Sequence, residues 1–186
     1  MSENVILASA SPRRKELLSM IYSDFEVCVS AVEEIVPPDI PPLSSPEYLA
    51  LLKARDVAKK YPDCLVIGAD TSVFAEDKIL GKPKNQSEAF DMLSLLSGKV
   101  HKVVTGCAVV KGDTVHSFSV TTEVEFYKLS DSQIWDYIDS GDPFDKAGGY
   151  GIQTGGVFFV KGINGDYNNV VGLPVAELYR QIKVKF

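Results

Sequence analysis

Short, unbroken apolar runs alternate with segments of helical period along the first half of this chain, and that alternation constrains its fold more than any other feature. The run at residues 5–8 reads as a buried strand. Ser11-Pro12 then supplies an N-cap and a first-turn proline for a helix reaching about Tyr22, and residues 25–30 read as a second strand. The prolines between residues 37 and 46 lack amide donors and dictate a loop. It ends where Ser45 can cap and Pro46 can start a helix, with Leu49, Leu52 and Val57 near one face and lysines on the other. Residues 64–69 form a continuous apolar run that delivers Asp70-Thr71 at its end. Such an order predicts an α/β fold.

The second half continues with a hairpin over residues 72–80 turning at Glu76-Asp77, and a helix over 87–96 closed by Gly98. Two long strands, 101–110 and 114–127, meet at a Gly112-Asp113 turn. Ser130 and Gln133 fit a capping box for a helix ending at Gly141. Residues 142–156 are too rich in glycine for either period, and a strand at 157–163 and a helix from about Pro174 complete the pattern. With 186 residues, 45% of them hydrophobic, the chain can bury one substantial core, so residues 1–186 are expected to form one domain.

Several classes are disfavoured. Basic residues follow the first apolar run instead of preceding it, the wrong order for a signal peptide, and no run approaches the length of a membrane span. Cys28, Cys64 and Cys107 are odd in number and each sits in an apolar stretch, which suits buried free thiols in a reducing cytoplasm. A net charge of −6 argues against a general nucleic-acid binder, which needs a basic field to displace counterions.

Five groups of residues carry candidate chemistry. Ser9, Ser11, Arg13 and Arg14, between a strand and a helix start, fit a phosphate site or an ordinary cap with solvated arginines. Asp70-Thr71 fits a metal ligand or water activator beyond a strand, or a turn cap. Of the adjacent Glu33 and Glu34 only one can face a given cleft, and both can be solvated. Lys53, Lys82 and Lys146 either counter a ligand's charge or snorkel. The stretch from Asp145 to Gln153 permits close backbone approach, and the Gln153 amide can pair with a base edge. Walker, dinucleotide and zinc motifs are absent, and His101 and His116 read as structural residues on strands.

The blocks LASASPRRKELL (7–18), EE (33–34), KA (53–54), IGADTSV (67–73), LGKP (80–83), LSGKVHKVVTG (96–106), SGDPFDKAGGYGIQ (140–153) and GDYNNVVGLP (165–174) together resemble the Maf family of nucleotide pyrophosphatases. The resemblance implies a two-lobed single domain with a central twisted mixed sheet flanked by helices and a cleft between the lobes. It also implies a cytoplasmic homodimer that cleaves the α-β phosphoanhydride of a nucleoside triphosphate with Mg²⁺, Mn²⁺ or Co²⁺. Asp70 matches the general base or water activator and Glu34 the metal carboxylate. Ser9, Arg13 and Arg14 match the anion-binding segment, Lys53 and Lys82 the neutralising lysines, and Asp145 and Lys146 a block near the site.

Arg13, Thr71 and Gln153 match positions that separate branches, and their pattern is similar to that of the branch handling dTTP and UTP. A 7-methyl-GTP-type enzyme and a non-catalytic nucleotide sensor are the competing readings. Three positions depart from the family pattern: Asp142 stands where Glu is usual, Gly149 where Ala is usual, and Thr154 where Gly is usual.

Overall fold

The computed structural model of the chain describes residues 4–186, and among them the mixed α/β expectation is met. In chain order the elements are β1 (Val5–Leu7), α1 (Pro12–Leu18), β2 (Glu26–Val27), α2 (Ser45–Ala58), β3 (Leu65–Ala75), β4 (Lys78–Leu80) and α3 (Gln86–Leu96). There follow β5 (Val100–Lys111), β6 (Thr114–Phe126), α4 (Asp131–Asp139), β7 (Val160–Asn164), α5 (Tyr167–Val171) and α6 (Val175–Lys185). Single-turn 3₁₀ segments fill the glycine-rich stretch that suits neither regular period. The strands join in the order β2-β1-β3-β5-β6-β7, with β4 paired to β3. β1 runs parallel to β2 and β3, while β4 and β7 run antiparallel to β3 and β6.

Backbone contacts divide the chain into two compact units. The first comprises the chain up to Asp70, Thr105–Val120 and Gly172–Phe186. Its core includes Ile6, Ala8, Val66, Ala108 and Val110 with Ala50, Ala54, Val57 and Ala58 of α2. Alanines replace the expected Leu49 and Leu52 as the inward stripe because α2 lies very close to β3: a Cβ on Gly68 would sit 2.4 Å from the Ala50 carbonyl oxygen. The second unit comprises Thr71–Val104 and Thr121–Val171. Leu93 and Leu96 of α3, Ile134 and Ile138 of α4, and the rings of Phe126, Tyr150 and Phe159 fill its core.

Local signals held where they were self-contained. The Ser130–Gln133 capping box opens α4, and Gly98 and Gly112 adopt the left-handed region. Other boundaries moved. α1 ends at Leu18, short of Tyr22, where the Ser19 hydroxyl donates to the Glu16 carbonyl at 2.6 Å and the chain closes in turns. Ser45 is the first residue of α2 and not its cap; its hydroxyl donates to the Pro42 carbonyl at 2.7 Å. β3 continues through Asp70 to Ala75, because its far half pairs with β4 across the Glu76-Asp77 turn. The second expected strand is reduced to Glu26–Val27, and β7 starts at Val160 because Gly155–Phe159 coils first. The short α5 was not foreseen. All three thiols are free, but only Cys107 is buried, Cys28 and Cys64 being half-buried. Among the described residues no helix is long and apolar enough to cross a membrane.

Candidate active site

In the first unit, the close seating of α2 on β3 brings Lys53 to Asp70. The Lys53 ammonium donates to Asp70 Oδ1 at 2.7 Å and pairs with Glu34 Oε2 at 2.8 Å. Lys53 and Asp70 are nearly buried, at 12% and 15% side-chain exposure, whereas Glu34 is 52% exposed, so the cluster opens to water on the Glu34 side. Of the adjacent acids it is Glu34 that joins the lysine. Asp70 thus sits within a strand, not beyond its carboxyl end, and its carboxylate is positioned by the helix laid over it.

The segment before α1 carries the cationic part. Ser11 caps α1 by accepting from Arg14 N–H at 3.4 Å, and the buried Ser9 hydroxyl accepts from Ser11 N–H at 3.3 Å and from Arg14 Nη1 at 3.2 Å. Arg14 Nε also donates to the Gly172 carbonyl at 2.9 Å. Burial pushes the Arg14 guanidinium below its ordinary value, and the charges of Asp70 and Glu34 pull it back up, while Arg13 adds to the depression. A guanidinium remains charged throughout. Ser9, Arg13, Arg14, Glu34, Lys53 and Asp70 therefore fall in one unit, with Arg14 in the field of both acids.

The second unit holds the remaining candidates. Thr71, half-buried on β3, directly follows Asp70. Lys82 is exposed beside Gly81, whose carbonyl accepts the Gly148 N–H at 2.9 Å. Lys146 is buried, and its ammonium is committed to Asp145 Oδ1 at 2.6 Å, the Asp142 carbonyl at 2.7 Å and Asp142 Oδ1 at 2.9 Å. Gln153 is exposed. A cavity of about 760 Å³ in this unit is bounded by α4 and by the loop bearing Asp142, Lys146 and Thr154.

Some supporting residues escaped the reading of the sequence. Asp56, one turn beyond Lys53 on α2, accepts from the Ser30 hydroxyl at 2.8 Å and from Ala31 N–H at 3.1 Å. These bonds hold its carboxyl below the usual range and moor the segment leading to Glu34. The spacing of Lys53 and Asp56 on one helix was the available signal. The His101–Tyr150 pair, at 2.8 Å, connects residues 49 apart in sequence and left no such trace.

Among the described residues no group of three or more His, Cys, Asp or Glu side chains is gathered as a metal cage. Glu34 and Asp70 instead converge on one cation, the Lys53 ammonium, with hard oxygen donors. Mg²⁺ is commonly held by one or two carboxylates together with substrate phosphates, and this donor pair fits that arrangement.

A family model described as Maf-like protein matches residues 4–184. A dTTP/UTP pyrophosphatase from Bacillus cereus is 50% identical over 179 residues, covering 96% of this chain and 94% of that protein. A dTTP/UTP pyrophosphatase from Bacillus thuringiensis subsp. konkukian matches with the same identity and coverage. Among solved structures, a HAM1 protein from Coxiella burnetii aligns with a TM-score of 0.54 at 15% identity, over 98% of this chain and 99% of that one, a likeness of fold.

Proposed function

The chain belongs to the family of Maf-like proteins, and from that premise we propose that it hydrolyses dTTP and UTP to the monophosphate and pyrophosphate at a site built on Glu34, Lys53 and Asp70. The observation that carries this reading is the Glu34–Lys53–Asp70 cluster with the Arg14 guanidinium in its field. Such a group can position a water and counter phosphate charge at once, which is most of what phosphoryl transfer requires.

Ser9, Arg13 and Arg14 bind the triphosphate oxygens, and Lys53 and Lys82 offset charge on the departing pyrophosphate. Asp70, engaged with Lys53 through Oδ1, accepts a proton from water at its second oxygen. Water oxygen forms the new bond to the α-phosphorus. The bond to the bridging oxygen breaks, and its electron pair leaves with pyrophosphate. Glu34 and Asp70 would hold a divalent ion, Mg²⁺, Mn²⁺ or Co²⁺, which when bound supplies further charge neutralisation and acidifies water. Gln153, with Thr71 and Arg13, distinguishes the base, and Asp145 and Lys146 support the loop bearing it. The protein works in the cytoplasm as a homodimer that cleans nucleotide pools.

Purified protein offered a panel of triphosphates with Mg²⁺ is expected to release pyrophosphate fastest from dTTP and UTP. Asp70→Asn is expected to abolish release while leaving nucleotide binding largely intact. Faster turnover of 7-methyl-GTP, or no release from any triphosphate, would overturn the reading.

A further inference from the structure

Residues 150–154 form a loop that presents the exposed Gln153, with Gly151 inside it and Gly155-Gly156 directly after it. Short glycine-rich loops are ordinarily mobile, yet this one is fastened along its length. The Tyr150 hydroxyl pairs with His101 Nε2 at 2.8 Å, and Gly151 N–H donates to the Tyr137 hydroxyl oxygen at 3.0 Å. The Thr154 hydroxyl donates to Asp142 Oδ2, which also accepts from the Tyr137 hydroxyl. Asp142 Oδ1 takes the Lys146 ammonium at 2.9 Å.

One carboxylate therefore gathers three donors from three parts of the unit. Two of them lead directly to the residues on either side of Ile152-Gln153. Thr154 also lies 3.2 Å from the Gly151 carbonyl, but a hydroxyl has one proton, and the carboxylate is the stronger acceptor. The packing leaves no room for a side chain at Gly151: a Cβ there would sit 2.3 Å from Thr154 Oγ1 and 2.5 Å from Lys146 Cε. Moreover, Asp142 and Thr154 are two of the three positions at which the sequence departs from the pattern it resembles, and here they touch. The shorter acid receives a hydroxyl in place of the usual glycine.

We propose that Asp142 and Thr154 act as one positioning device that fixes the Gln153 loop and thereby sets selectivity for a pyrimidine over a purine triphosphate. The proposal rests on the reading of Gln153 as the residue that pairs with the base. An amide distinguishes bases by donor and acceptor direction, so its backbone must be held before binding for the distinction to be expressed. The residues assigned to bond cleavage, Glu34, Lys53 and Asp70, lie outside this loop, so loosening it acts on substrate capture more than on turnover.

The test compares kcat and KM for dTTP and GTP in the parent, Thr154→Val, Thr154→Ser, Asp142→Asn and the Thr154→Val/Asp142→Asn pair. Losing one hydrogen bond to a charged acceptor is expected to raise KM for dTTP on the order of tenfold, with kcat changed no more than about threefold. GTP kinetics should stay put. Thr154→Ser should recover parental selectivity, and the double variant should be no less selective than the worse single, as partners in one interaction require. Hydrogen exchange at the Gly151 amide should speed up in Thr154→Val. A pyrimidine-selective parent whose Thr154→Val keeps the same dTTP-to-GTP ratio overturns the proposal alone, as do equal losses on both substrates. A parent that hydrolyses no pyrimidine triphosphate overturns the proposed function and this device with it.

Discussion

Lys53 holds two carboxylates with one ammonium, so its removal leaves like charges facing each other, one of them the nearly buried Asp70. Lys53→Met, which keeps most of the stem, is expected to lower kcat/KM on the order of a hundredfold or more, measured by pyrophosphate release. Asp56 acts at one remove. Asp56→Asn weakens its hold on Ser30 and Ala31 and should loosen the Glu34 segment, raising the Mg²⁺ concentration needed for half-maximal rate while sparing nucleotide binding without metal. The residues themselves were largely legible, since Asp70, Glu34, Lys53, Ser9 and Arg14 stand in recognisable blocks. Their partners were less so. That Lys53 faces Asp70, when helical period alone set it among solvated lysines, depends on how α2 lies across the sheet, and nothing local to either residue encodes that.

At the scale of elements, the approach of α2 to β3 is the arrangement on which the ion-pair cluster depends. Gly68→Ala would drive a methyl to 2.4 Å from the Ala50 carbonyl oxygen and 3.0 Å from the Ala54 methyl. The backbone carbonyl has little freedom to retreat, so the variant is expected to lose about 1–3 kcal/mol, read as a lower urea midpoint. Activity should fall further than stability explains, because Lys53 moves with the helix. A glycine inside an apolar strand run does signal close backbone approach, but the run could not say which helix approaches. The capping box of α4 was readable because its two residues satisfy each other. The hairpin of β3 and β4 was readable from the Glu76-Asp77 turn, but not that its first strand runs unbroken from Leu65 through Asp70.

For the molecule as a whole, His101 links folding to pH. It is 2% exposed, packs edge-on against Phe126 and Tyr150, and burial pushes its imidazole from 6.5 down to about 4. Below pH 6.5 the unfolded chain binds a proton that the folded one refuses until about pH 4, so stability falls as pH drops through that window. Between pH 7 and pH 5 the expected loss is about 2 kcal/mol, and His101→Gln should flatten that slope even though it weakens the Tyr150 contact. The depressed carboxyls of Asp56, Glu76 and Asp142 act lower: their contributions persist above the ordinary values of 3.8 for Asp and 4.5 for Glu and fade beneath them, so they add little to the change between pH 7 and pH 5. Cys107, wholly enclosed on β5, has its thiol pushed up to about 12. Alkylating reagents attack thiolate, so at neutral pH this sulfur reacts only while the surrounding strands are parted. It is a built-in stopwatch: the rate at which the third alkyl group appears in a mass spectrum times the opening of the fold without any engineered label.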